Sequence, residues 1–171
     1  MRECGTCTLC CKVMGIVELE KPRGTWCEHA LPGRGCAIYD QRPDTCRAFS
    51  CLWLLNSALG EEWKPEKCKL VIVPDDLTKA TRVYVDASSP DAWKREPYFS
   101  SLLDFMQKGL LEGRLLFINV GNKNSLLLPD VNAGWRLEDL GKLQEGDEVR
   151  LKRAGYPFAT RYEVEVVRRS N

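Results

Sequence analysis

Histidine is almost absent from this chain: His29 is the only one in 171 residues. A Ser-His or Cys-His catalytic system would therefore have to be built on that single side chain. No GxSxG, HExxH, phosphate-binding loop or dinucleotide fingerprint occurs either, so no residue nominates itself as catalytic. An excess of charge is also missing. Twenty-five Lys and Arg face 24 Asp and Glu, for a net charge of +1, whereas nucleic-acid binding normally shows as a cationic surplus or patch. No apolar run approaches the ~20 residues that span a bilayer, and the opening Met-Arg-Glu-Cys-Gly-Thr-Cys lacks the apolar stretch of a secretion signal. These absences predict a cytoplasmic protein with neither a nucleic-acid nor a membrane partner. Cysteine is missing from everything after residue 68.

Before that point cysteine is dense. Cys4, Cys7, Cys10, Cys11, Cys27, Cys36, Cys46, Cys51 and Cys68 are all nine in the chain. In a reducing compartment such crowding reads as metal ligation before it reads as disulfides. Cys4-x2-Cys7-x2-Cys10-Cys11 is the strongest element, because two cysteines separated by two residues turn both sulfurs toward one metal. Adjacent side chains diverge in strand and helix alike, so Cys10 and Cys11 are expected to serve two metals, or two edges of one polynuclear centre. Further ligands come from Cys27, Cys36, Cys46, Cys51 and, less readily, Cys68; eight thiolates suit two mononuclear tetrahedral sites. Cys68 reads as a buried apolar thiol, and His29 as an ordinary loop histidine.

The loss of cysteine near residue 68 also divides the chain into a metal-binding segment, 1–68, and an α+β segment, 69–171, within one compact unit. Turn formers at 21–24 and 31–35 bury little apolar surface, so the first segment needs a metal as internal crosslink. One helix is legible there. Arg42-Pro43-Asp44-Thr45 suits a first turn, the stretch Cys46 to Leu59 follows, and Gly60 is placed to cap it. Trp53, Leu54 and Leu55 are expected to pack this helix. Cys46 and Cys51 would then stand about 140° apart, either with Cys46 in an irregular first turn or with the two reaching different metals.

In the second segment, 70–73 and 82–85 read as strands and 91–112 as helical, with interruptions expected at Pro97 and Gly109. Residues 115–120 and 125–128 resemble a hairpin joined by Gly-Asn-Lys-Asn. A further pair is 148–152, opened by Gly146-Asp147, with 162–167, where Tyr162, Val164 and Val166 alternate with Glu163 and Glu165. The fold class expected is α+β: a cysteine-rich, loop-dominated segment with a short helix, packed on a small, mainly antiparallel sheet with one or two helices.

Cys4-x2-Cys7-x2-Cys10-Cys11, then Trp26-Cys27, then the run from Cys36 through Ile38-Tyr39-Asp40-Gln41-Arg42-Pro43-Asp44-Thr45 to Cys46 and Cys51, resembles the YkgJ-type cysteine-cluster family, also called the CxxCxxCC or zinc- or iron-chelating domain family. The likeness covers residues 4–51. It implies metal binding through Cys4, Cys7, Cys10, Cys11, Cys27, Cys36, Cys46 and Cys51, and leaves Cys68 out. A flagellin lysine methylase is similar in having a cysteine cluster, which keeps an iron–sulfur enzyme in view.

Zinc is the expected metal. It takes all-cysteine tetrahedral sites, folds loop-rich segments and needs no redox partner. The alternative is an iron–sulfur cluster, since three cysteines at x2 spacing resemble the start of a bacterial ferredoxin loop; here, however, Cys11 follows immediately instead of the x3-Cys-Pro continuation. Arg42 and Arg47 are candidate counter-charges to a thiolate centre, against a plain pairing with Asp40 and Asp44. Tyr39 and Phe49 are expected to shield the sulfurs. Three functions follow: a structural metal in an accessory protein that docks a protein partner through its C-terminal half, a redox or methyl-transfer-type enzyme, and metal buffering or delivery.

Overall fold

The computed structural model describes residues 2–143, 147–154 and 161–168, with the backbone alone at Ala154 and Arg161. The chain begins with a turn closed by the Cys7 amide donating to the Cys4 carbonyl at 3.0 Å, then a short helix, α1 (Leu9–Val13). A two-stranded ribbon follows, β1 (Ala30–Leu31) against β2 (Gly35–Cys36).

The single helix expected over 46–59 is two: α2 (Asp44–Ala48) and α3 (Leu52–Leu55). Phe49 between them is extended, at φ −78° and ψ 131°. Gly60 does not cap α3 in the left-handed conformation, since its φ is −71°. The Arg2 guanidinium takes that role, donating to the Trp53 carbonyl, one of the acceptors that the end of α3 leaves open, and to those of Asn56, Ser57 and Leu59 just beyond it. Trp53 is buried and Leu54 half-buried as expected, but Leu55 is exposed. A last short helix, α4 (Pro65–Cys68), ends on Lys69 in the left-handed conformation.

The rest is a mainly antiparallel sheet with one long helix, so the fold is α+β. β3 (Leu70–Asp75), β4 (Ala80–Val85), β5 (Leu115–Val120), β6 (Lys123–Asp130) and β7 (Gly134–Asp139) lie side by side in that order. Only β4 and β5 run parallel, and that pairing needs a crossover. Residues 86–114 supply it, with α5 (Tyr98–Leu111) inside. The interruption at Pro97 is real, and the helix begins just after it. Gly109 interrupts nothing: it lies inside α5 and is buried, with the Arg114 backbone and side chain packed against it. The β5–β6 turn is Gly121-Asn122, with Gly121 at φ +56°, so β6 begins two residues sooner than the sequence suggests. β7 has no clear alternation and is legible only through its pairing. β8 (Glu148–Ala154) and β9 (Arg161–Val167) form a separate antiparallel pair; Gly146 lies outside the described residues.

Register and period-two alternation give the sheet two faces. Leu70, Ile72, Val83, Val85, Leu116, Ile118 and Leu127 share one, where Leu102 and Met106 of α5 join them in the core. On the other, Phe117, Leu126 and Leu128 pack with Val149, Leu151, Val164 and Val166 of β8 and β9. Val71 on that same side meets the cysteine segment, where α1 and α3 rest on β3. Leu9, Val13, Trp53, Trp63 and Cys68 therefore belong to one core with the sheet. Each large apolar side chain fully buried there contributes about 1.5–3 kcal/mol. Among the described residues no helix is long and apolar enough to cross a membrane.

Candidate metal centre

The cysteines reach a common region through short local devices. Gly5 at φ +55° bends the first loop. The Cys27 amide donates to the Cys11 carbonyl at 3.0 Å, tying the second segment to α1, and the Ala37 amide donates to the His29 carbonyl at 2.9 Å. Gly35, at φ +105°, brings the β1–β2 ribbon so close that a Cβ there would lie 2.9 Å from the Gly5 carbonyl oxygen; only glycine permits that approach. Glu18, in a loop closed by reciprocal Ile16 and Lys21 backbone bonds, accepts from the Thr45 amide at 3.0 Å and from its hydroxyl. That fastens the loop to the start of α2, one residue before Cys46.

Seven of the eight candidate ligands, Cys4, Cys7, Cys10, Cys11, Cys27, Cys36 and Cys46, line one cavity of about 90 Å³ with Ile16, Ile38 and Phe49. The eighth, Cys51, lines a smaller neighbour of about 20 Å³ with Cys4, Cys7 and Cys10, beside Trp53 and Val71. Cys4, Cys7 and Cys10 thus form the wall between the two. Phe49 borders both, and its extended backbone sends Cys46 to one side and Cys51 to the other. All nine cysteines are free thiols.

Cys10 and Cys11 both border the larger cavity, and of the two only Cys10 lines the smaller one. The neighbouring Cys11 sulfur, together with burial, pushes the Cys10 thiol up. Cys10 in turn draws the Cys11 thiol down, against burial and with help from Lys21 and Arg42. Burial raises Cys4, Cys7, Cys46 and Cys51.

Among the described residues no three His, Cys, Asp or Glu side chains converge as a mononuclear metal site would require. Tetrahedral zinc, with Zn–S near 2.3 Å, brings its sulfurs to roughly 3.8 Å from one another. These thiols ring a space instead.

Of the expected counter-charges, Arg42 stacks on the Tyr39 ring at 3.7 Å and stands close enough to oppose the rise at Cys4 and to help lower the Cys11 thiol. Arg47 is largely exposed and pairs with Asp44 at 3.0 Å. Tyr39 is 45% exposed, so it shields less than expected, while Phe49 is half-buried. His29 lines the larger cavity. Cys68 is 1% exposed, with its sulfur 3.3 Å from the carbonyls of both Trp63 and Leu70. Away from the cysteines, Asp75 caps the turn after β3 by accepting from the amides of Leu77 and Thr78, and Asp76 pairs with Arg114.

Lys21 is the residue that sequence reasoning missed. It is buried, its ammonium is held on the carbonyls of Lys12, Met14 and Pro22 within electrostatic reach of Cys27, Cys11, Cys10 and Cys46, and in sequence nothing distinguishes it from a surface lysine between Glu20 and Pro22.

No family model matches the chain, and no curated protein or solved structure matches it either.

Proposed function

We propose that the protein binds metal through its clustered cysteine thiolates. The observation that carries this reading is the gathering of eight cysteines from five separate stretches around two cavities with a shared wall. Chance does not bring so many free thiols together, and their donor chemistry suits soft or borderline metals. In this reading Cys4, Cys7, Cys10 and Cys51 form one set and Cys11, Cys27, Cys36 and Cys46 the other. Zinc in both would crosslink a segment whose longest helix has five residues. Such a metal is mainly structural, and the protein acts as an accessory or interaction module, with the sheet half as the docking surface for a protein partner. The resemblance to the cysteine-cluster family points the same way.

One observation favours a second reading. Thiols that ring a space of about 90 Å³ without converging suit a polynuclear iron–sulfur centre better than a single ion. That centre would supply redox chemistry, with the cysteines as its anchors.

Anaerobic purification, elemental analysis and a visible spectrum test both. About two zinc ions per chain and no visible colour support the first reading, with Cys36→Ser and Cys51→Ser each removing about one ion. Iron with acid-labile sulfide and a brown colour replaces it with the second. A wild-type chain that retains and takes up neither metal overturns the proposal.

A further inference from the structure

The thiolate centre carries a built-in positive charge that neither the motif nor the resemblance assigns. Lys21 is 9% exposed. Its ammonium donates to the carbonyls of Lys12 at 3.3 Å, of Pro22 at 3.1 Å and of Met14. An ammonium has three protons, so all are committed to backbone oxygens. No ion pair joins Lys21 to a carboxylate among the described residues. Removing a cation from water without a counter-anion costs several kcal/mol, and three neutral carbonyls offset only part of that. The groups around it that can become anions are sulfurs: Cys27, Cys11, Cys10 and Cys46.

Resting on the metal-binding reading above, we infer that Lys21 is the positioned counter-charge of the Cys11, Cys27, Cys36 and Cys46 set. A tetrathiolate zinc site is formally −2, and a fixed, largely buried cation stabilises that charge more strongly than water-screened surface arginines do. Because its protons point at carbonyls, Lys21 acts through space rather than as a hydrogen-bond donor to sulfur. Two of the carbonyls belong to Lys12 and Met14, at the end of α1 that directly follows its Cys10-Cys11 pair, so the same bonds that hold the ammonium hold it near those sulfurs. Arg42, stacked on Tyr39 near the protein surface, is the weaker contributor.

The test compares Lys21→Met, which keeps the aliphatic stem and drops the charge, with Lys21→Arg, which keeps the charge and disrupts the carbonyl cradle. Each chain is loaded with Zn(II), and release is followed with a chromogenic chelator at fixed ionic strength; Co(II) in place of zinc reports thiolate coordination by its charge-transfer absorption. In Lys21→Met one equivalent is expected to leave at least about tenfold faster. The equivalent held with Cys51 should change less, since Cys10 is the one member of that set among the sulfurs around the ammonium. Lys21→Arg is expected to recover most of the loss. A merely structural lysine gives another pattern: both substitutions break the cradle, so both accelerate release alike. That equality, or unchanged release from Lys21→Met, overturns the assignment of Lys21 while leaving metal binding intact. A wild-type chain that takes up no Zn(II) or Co(II) overturns the metal reading, and this inference with it. If Lys21→Met does not fold, Lys21→Gln, which retains donors to the cradle without the charge, gives the same comparison.

Discussion

Cys68 and Lys21 are each buried beside the cysteine cluster, and they differ in what surrounds the polar atom. The Cys68 sulfur faces two backbone carbonyls and is sealed by Leu70 and Trp63. Burial pushes its thiol up to about 11, and the nearby Cys7 and Cys51 sulfurs add to that. At neutral pH it is a neutral thiol, a poor metal ligand and a serviceable weak donor. Cys68→Ser should therefore leave the metal content unchanged by elemental analysis and change the unfolding free energy, read from chemical denaturation, by no more than about 1 kcal/mol. Loss of metal would make Cys68 a ligand. The eight remaining cysteines were legible because thiols recur at ligand spacings, a pattern independent of local conformation. Lys21 was not legible, because its role depends on a loop closure between Ile16 and Lys21 that no residue spacing records. Arg47 misled for the converse reason: a cation beside a cysteine in sequence points to solvent once it sits on the outer side of α2.

At the scale of elements, turns position the cysteines more than helices do. The expected helix over 46–59 broke at Phe49, where packing between two cavities prevailed over helical propensity, and the break resolves the 140° separation of Cys46 and Cys51. The β1–β2 ribbon was invisible beforehand, being two residues a side with no alternation. Its effect is nonetheless specific, because Cys36 reaches the cavity only if Gly35 can lie against Gly5. Two glycines in this ribbon separate backbone strain from close approach. Gly33→Ala, at φ +75° with open space around it, should cost about 1 kcal/mol from conformation alone. Gly35→Ala, at φ +105° and 2.9 Å from the Gly5 carbonyl, should cost about 2–4 kcal/mol. Only the second should also hasten Zn(II) release, since it displaces Cys36 relative to Cys4. Chemical denaturation of both variants, with release kinetics alongside, checks this; equal behaviour would mean the ribbon does not position the centre. By contrast β3, β4, β5 and the β8–β9 pair were readable from β-branched runs and alternation, which follow directly from a sheet with apolar residues on its faces.

For the whole molecule, the cysteine segment and the sheet are joined by polar as well as apolar contacts. Arg23 stacks on Tyr84 of β4 at 5.0 Å and donates to Asn124 of β6. The Lys12 ammonium, one residue after Cys11, meets Asp86 Oδ1 at 2.6 Å just past the end of β4. Asp86 also accepts from the Ser88 amide at 3.0 Å, and the ring of Trp26 lies 5.6 Å from Lys12 on its other side. Burial alone would push the Asp86 carboxyl up, but Lys12 and Ser88 together bring it below its ordinary value. A carboxyl depressed by folding adds stability that is fully present above the unfolded value near 3.9 and is lost as pH falls through the lower, folded value. Asp86→Asn should accordingly destabilise the protein by about 2–4 kcal/mol at neutral pH, because it leaves Lys12 without its partner in a largely buried place. The gap between wild type and variant should stay constant above about pH 5 and narrow below about pH 4, as the wild-type carboxyl gains its proton. Denaturant midpoints measured at intervals from pH 3 to pH 8 would follow this; a gap that persisted at the acid end would mean Asp86 acts by packing. Because Lys12 continues directly from Cys10 and Cys11, the same variant should also loosen the metal centre, so that chelator-driven release quickens along with unfolding. If stability falls while release does not change, the cysteine segment holds its metal independently of the sheet, and the two halves share a core without sharing the centre.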